Sequence, residues 1–412
     1  MKKLKVLSVL GTRPEVIKLA PVFNEFFRQR GEILSCVVFT GQHQDMATVL
    51  LRQFGITPQY NLKIMRRNQS LADIVSRSVS RLSQIIVREK PHCVMVQGDT
   101  STAFIAGLCA YYHKIPLAHV EAGLRTFDKN NPFPEEIHRR FISLLADFHF
   151  APTPRAARNL AAEGIVKKSI YVTGNTVIDS LRVLESQSGT RKLPCFLTRE
   201  VLSKKIILVT IHRRESFGQP LREVCTAIDR IVRLPEVEVV FPVHRNPQVR
   251  TQVRRLLRPR SNLHLVEPLE YKAFIDVMKH SYLVLTDSGG VQEEAPVFGK
   301  PVLVLRQISE RPEGLDAGVS CLVERKAAAI VGCVRHLLDS PAAYKRMSRS
   351  RSLYGDGRAA ERITAVLLRH KTMLQRKRNE KGKNMMPQVP EVSMSIVNNS
   401  NSMIRAETGS TV

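Results

Sequence analysis

Short apolar, β-branched runs recur along this chain with amphipathic stretches between them, and no other feature limits the possible folds as much. The runs occupy residues 6–10, 34–40, 93–97, 117–120, 148–151, 170–173, 206–210, 237–243, 263–266, 283–286 and 302–305. Helical patterns fill most of the gaps, for example 102–112 and 221–232. Such βαβα alternation predicts parallel sheets with helices on both faces. Strands buried on both faces read as continuous apolar runs, and several here do. At 412 residues the chain has room for two α/β domains without disulfide or metal staples.

The alternation pauses between Asp179 and Lys205, where SQSGTRKLP reads as a linker. This predicts one Rossmann-like domain over 1–180 and a second over 181–354. In such folds ligands bind at the carboxyl ends of the strands, so two of them facing each other would line a cleft. From about Arg376 the sequence is basic, then Ser/Asn-rich, with no strand or helix period, which predicts a disordered tail over 376–412. The opening MKKLKVLSVLGTRPE has too short an apolar run for a signal peptide and reads as a first buried strand. No run approaches the ~18 apolar residues of a membrane span.

The net charge is +26. That raises nucleic acid or an anionic membrane surface as partners. The excess is diffuse, however, with some concentration near the C-terminus. No helix-turn-helix, RNA-recognition or zinc-finger signature accompanies it, so no nucleic-acid partner is expected. Anionic substrates or a weak membrane association explain the charge equally well. The 7 cysteines are scattered, with no CxxC and no histidine pair at zinc spacing. They read as buried, reduced thiols of a cytoplasmic protein, and no metal site is expected.

Four groups of residues are suited to chemistry. Gly11-Thr12-Arg13-Pro14-Glu15 follows the first strand, with Lys18 a turn further on. A helix starting at Pro14 aims free N–H groups at an anion, and Arg13 and Lys18 add positive charge. An ordinary strand–helix turn is the plainer alternative. Asp287-Ser288-Gly289-Gly290 with Glu293-Glu294 forms a diphosphate cradle at a helix start, or a turn merely capped by Ser288. Asp99, Glu121 and the pair Glu135-Glu136 place acids near strand ends. Acids crowded in a cleft suit proton transfer at a sugar carbon, because their pKa values can be driven apart. Taken alone, Asp99 also fits a helix N-cap and Glu121 a salt bridge to Arg125. His212 in HRRES and His244 in FPVHRNP follow strands of the second domain, where they suit a diphosphate or a basic surface loop.

In order, the chain carries GTRPEVIK, TGQHQDM, QGDTSTAFIAGL, HVEAGLRT, PFPEEIHRR, TGNTVIDSL, TIHRRESFG, FPVHRNP, TDSGGVQEEAP, GKPVLVLR, SERPEGLDAG and YGDGRAAERI. This set resembles the non-hydrolysing UDP-N-acetylglucosamine 2-epimerase family of bacteria over roughly residues 3–370. The resemblance implies the glycosyltransferase-B architecture, with a helix over about 355–372 crossing back to the first domain. It implies epimerisation at C2 by anti elimination of UDP, through bound 2-acetamidoglucal, with no NAD and no metal. It assigns Asp99, Glu121, Glu135 and His212 to catalysis. Arg13, Lys18, Ser288, Gly289, Gly290 and Glu294 fall to UDP and its ribose. Gln42 and His244 match an activating site for a second UDP-N-acetylglucosamine. A homodimer and a role in cell-envelope polysaccharide supply also follow. His138 stands where the family usually has asparagine, and RQIS at 306–309 replaces the more usual RDTT. A hydrolysing epimerase that releases N-acetylmannosamine, and a glycosyltransferase of the same fold, are the alternatives.

Overall fold

The computed structural model describes residues 2–42, 44–65, 70–186, 193–211 and 218–381. The strands are β1 (Leu4–Leu10), β2 (Ile33–Phe39), β3 (Tyr60–Asn61), β4 (Cys93–Gln97), β5 (Leu117–Val120), β6 (Phe148–Ala151), β7 (Ile170–Val172), β8 (Lys205–Thr210), β9 (Val237–Pro242), β10 (Leu263–Val266), β11 (Leu283–Thr286), β12 (Val302–Val304) and β13 (Ser320–Leu322). The helices are α1 (Arg13–Arg28), α2 (Gln44–Gln53), α3 (Leu71–Glu89), α4 (Ser101–Tyr112), α5 (Glu135–Leu145), α6 (Pro154–Ala162), α7 (Thr176–Ser186), α8 (Arg199–Leu202) and α9 (Gln219–Ile231). They continue as α10 (Pro247–Leu256), α11 (Tyr271–His280), α12 (Gly289–Glu294), α13 (Pro312–Asp316), α14 (Ala327–Asp339), α15 (Pro341–Met347), α16 (Ala359–Arg369) and α17 (Lys371–Lys381).

Two compact units result. Among the described residues, one joins 2–123, Phe127–Thr176 and 358–381; the other is Val177–Gly357 with Leu124–Thr126. The first holds a 7-stranded sheet in the order β3-β2-β1-β4-β5-β6-β7. Its pairings are parallel, and residues such as Leu7, Val9, Val38, Val94 and Val96 meet helix residues Leu82 and Ile105 in its core. The second holds a 6-stranded parallel sheet, β10-β9-β8-β11-β12-β13, with Val209, Val239, Phe241 and Leu285 packed against Ile228 and Ile330. Each sheet winds out in both directions from its first strand. The order therefore switches between β1 and β4 in one and between β8 and β11 in the other. At such a switch the following turns diverge and leave a crevice at the carboxyl edge.

Some expectations change in detail. The segment expected as one helix over 355–372 is two helices, α16 and α17. Residues 376–381, read from sequence as the start of a structureless tail, belong to α17. That helix is polar nearly all round, and contacts made elsewhere hold it. Leu374 is fully buried, Lys371 pairs with Glu32 at 2.6 Å and Lys377 with Asp147 at 3.2 Å. The rest of the tail, 382–412, lies outside the described residues. The pause after Asp179 is helical as far as Ser186 in α7. Cys36, Cys93, Cys109 and Cys225 are buried as expected, and burial pushes the Cys109 thiol up to about 11, but Cys321 and Cys333 are half-buried and Cys195, in the segment between α7 and α8, is exposed. Among the described residues no helix is long and apolar enough to cross a membrane, and no group of three or more His, Cys, Asp or Glu can hold a metal ion.

Candidate functional site

Both switch points carry the motifs picked out from sequence. In the first unit, β1 runs into Gly11 and β4 into Gly98-Asp99, side by side. Gly11 has no room for a side chain. A Cβ there would lie 2.1 Å from Thr40 Oγ1 and 2.6 Å from Thr102 Oγ1. The turn is fastened by Glu15, whose Oε2 accepts from Gly11 N at 3.0 Å and from Thr12 N and Thr12 Oγ1 at 2.7 Å each. Its Oε1 accepts from Thr100 Oγ1 at 2.7 Å, which ties the β1 turn to the β4 turn. Burial raises the Glu15 carboxyl above its ordinary value, against the pull of these donors. The sequence names Glu15 only as the end of this segment; the T-x-x-E spacing of a capping box is the signal for its role.

Glu121 follows β5 in a left-handed backbone conformation, φ +67°. A non-glycine residue stays there only when its surroundings hold it. Here the Lys18 ammonium and the Gln97 side-chain amide both donate to its carboxylate, and Asn175 Nδ2 donates to Oε1 at 3.1 Å. Lys18 and Glu121 are almost wholly buried, at 6% and 5% side-chain exposure. Two charges taken out of water together need such close pairing and further donors. Lys18, matched by resemblance to the UDP site, thus reaches an acid that the same resemblance calls catalytic.

Asp99 keeps 27% of its side chain exposed. It is not the α4 N-cap; Thr100 is, through its bond to Ala103 N at 3.0 Å. Two residues of α5 hold Asp99. The Arg139 guanidinium pairs with its carboxylate, and His138 Nδ1 lies 3.1 Å from its main-chain oxygen. His138 stacks on Phe104 at 5.0 Å, and burial lowers its pKa below the ordinary histidine value. Glu135 opens α5, half-buried, one helical turn before Arg139. Its neighbour Glu136 is fully buried and serves structure, accepting from Phe127 N at 3.1 Å. Arg13 is half-buried at the first position of α1. Gln42 follows β2, where its Oε1 accepts from Thr102 Oγ1 at 2.9 Å.

In the second unit Ser288 precedes α12 at the end of β11. Its side chain makes no capping bond, so the simple-cap alternative does not describe it. Ser288 N donates to Thr286 Oγ1 at 2.9 Å. Gly289 packs closely against the Arg311 guanidinium, where a Cβ would have no room. Arg311 is itself held by Glu293 at 2.6 Å and by Glu310, and Glu310 also accepts from Arg306 at 2.6 Å. Ser309 Oγ donates to Gln292 at 2.6 Å. Arg306 and Ser309 of the RQIS segment are thus tied to the residues around the glycine turn, whereas Gln307 and Ile308 are exposed. Gly290 is the next helical residue, half-buried. Glu294 is buried in the following turn, and Tyr271 donates its hydroxyl to Oε1 at 2.7 Å. His244 follows β9, and its Nδ1 accepts from Asn246 N at 3.1 Å. His212 lies outside the described residues.

Each unit therefore gathers its own set. The first joins Arg13, Lys18, Gln42, Asp99, Glu121 and Glu135 around one sheet edge, and the second joins Ser288, Gly289, Gly290 and Glu294. Gln97, Arg139, Asn175, Tyr271 and Arg311 were missed. They lie far in sequence from what they hold, and spacing alone does not reveal such pairs. The family model described as UDP-N-acetylglucosamine 2-epimerase matches residues 26–368. The chain is 45% identical over 377 residues to the UDP-N-acetylglucosamine 2-epimerase of Yersinia pestis, covering 90% of this chain and 100% of the relative. To that of Bacillus subtilis it is 46% identical over 371 residues, 90% and 96% of the two chains. A crystal structure of the Neisseria meningitidis UDP-GlcNAc 2-epimerase bound to UDP-GlcNAc superposes with a TM-score of 0.84 at 41% identity, over 89% of this chain and 100% of that one. Matches of this extent, on a fold whose strand ends carry the motif residues, mean that the chain belongs to the UDP-N-acetylglucosamine 2-epimerase family.

Proposed function

We propose that this chain interconverts UDP-N-acetylglucosamine and UDP-N-acetylmannosamine without hydrolysis. A carboxylate of the first unit takes the proton from C2 while the C1–O bond breaks and UDP departs with the bonding pair. This leaves a C1=C2 double bond in bound 2-acetamidoglucal. UDP oxygen then adds back to C1 as a second acid protonates C2 from the opposite face. Asp99, Glu121 and Glu135 are the acid–base set. Ser288, Gly289 and Gly290 take the diphosphate, Glu294 the ribose hydroxyls, and Arg13 adds charge at the phosphate. Lys18 acts by positioning Glu121. His212 assists departure of the diphosphate. Gln42 and His244 serve a second, activating nucleotide sugar, and the product feeds cell-envelope polysaccharide from a homodimer.

The observation that most supports this reading is the Glu121 carboxylate, buried among three donors beside the Asp99 turn. A carboxylate fixed in this way stands at one defined place, as a group that must meet a single substrate carbon has to. Incubation with UDP-N-acetylglucosamine in heavy water tests it. Deuterium at C2 of both nucleotide sugars, read by NMR, is the expected result. Free N-acetylmannosamine as product shows a hydrolysing enzyme, and transfer without deuterium shows a glycosyltransferase.

A further inference from the structure

The second unit carries a basic cavity at the end of its sheet opposite the glycine turn. The cavity measures about 510 Å³ and is lined by Arg346 from the last turn of α15, by Arg349 and Arg351 just after it, and by His336 near the end of α14. Leu337 and Met347 add apolar wall. Gly318 leads into β13, and α14 returns antiparallel to the sheet, so these groups gather at the sheet's amino edge. Ser288–Gly290 follow the carboxyl end of β11.

No carboxylate is among the described residues that line this cavity. By contrast, Arg306 and Arg311 beside the glycine turn are matched to buried Glu310 and Glu293. The carbonyls ending α14 are already occupied. Leu337 O accepts from the Tyr282 hydroxyl at 3.0 Å and Leu338 O from Lys205 Nζ at 3.3 Å, which brings a further cation to this edge. Three exposed arginines line this one hollow, and the planar donor fork of arginine matches phosphate oxygens in pairs. The hollow exceeds the size of a phosphate alone and falls within the range for small organic ligands.

We propose that this cavity binds a soluble phosphorylated small molecule with two or more negative charges, separately from the epimerisation site. The test uses the full chain first saturated with UDP, so that the glycine turn is occupied, and then titrated calorimetrically with inorganic pyrophosphate. The wild-type protein is expected to bind pyrophosphate, and the triple variant R346A/R349A/R351A to bind it about tenfold more weakly or worse, with UDP affinity unchanged. Equal affinity in the variant, or no binding by the wild type, overturns the proposal. Should the triple variant fail to fold, R349Q and R351Q are measured singly, and unchanged affinity in both overturns it. Sedimentation with phosphatidic acid in phosphatidylcholine vesicles separates the lipid source of the same chemistry. Arginine-dependent vesicle binding without pyrophosphate binding overturns the soluble ligand. A failure of UDP to bind speaks against the proposed epimerase reading and leaves this one standing.

Discussion

A carboxylate withdrawn from water needs donors for both oxygens, and Glu121 and Glu15 meet that need differently. Glu121 takes an ammonium and two amides, which fix where its carboxylate stands. Glu121→Gln keeps the shape but sets an amide against donors, and it removes the proton acceptor. Turnover is expected to fall by about 10² or more while UDP affinity by titration is retained, and Asp99→Asn and Glu135→Gln are expected to behave alike. Normal turnover in any one removes that residue from the chemistry. Glu15 has only neutral donors, and burial raises it above its ordinary value of 4.5. The folded chain then holds this proton at a pH where the unfolded chain has lost it. Stability is therefore expected to fall as pH rises from 4.5 through the raised value. Glu15→Gln lacks this ionisation, and Thr100 can turn its hydroxyl to accept from the new amide. Chemical denaturation at a series of pH values should show a shallower slope in that range for Glu15→Gln, and an unchanged slope assigns the pH dependence to other groups.

At the scale of elements, what was readable from sequence follows what is buried on both faces. β4 and β11 are continuous apolar runs and could be placed from the sequence. β3 is two residues long and β13 reads Ser-Cys-Leu, both at sheet edges, and neither carries enough pattern to register. α17 was missed for a different reason. Its own residues give no apolar face, and Gln375 bonding to the Lys2 carbonyl at 2.9 Å joins the contacts that hold it to the first unit. Only Leu374 brings substantial apolar burial, about 1.5–3 kcal/mol, and exposed ion pairs add little. A chain ending at His370 is therefore expected to melt roughly 4–10 °C below one ending at Lys381, with kcat within about twofold. Both retain the Tyr171 to His370 bond of 3.1 Å, so the difference reports α17 alone. Equal melting temperatures would mean that the helix only rests on the sheet.

Across the whole molecule, the acids and the glycine turn could be named from sequence because they lie in short motifs after strands. Their supports could not, because Asn175 meets Glu121 and Arg139 meets Asp99 only once the chain is folded. The charge of +26 stood out in the composition, yet only part of it belongs to the site. Much of the remainder creates a long-range field. A field of this sign draws a nucleotide-sugar dianion toward the protein at low salt and weakens as the screening length shrinks from about 10 Å at 0.1 M to about 3 Å at 1 M. It acts on encounter and leaves the bound complex largely untouched. Raising NaCl from about 0.05 to about 0.5 M is therefore expected to raise KM for UDP-N-acetylglucosamine roughly three- to tenfold with kcat nearly constant. Steady-state kinetics at four salt concentrations separates the two parameters. A flat KM would show that the excess charge plays no part in substrate capture, and a falling kcat would place a salt-sensitive ion pair inside the catalytic set.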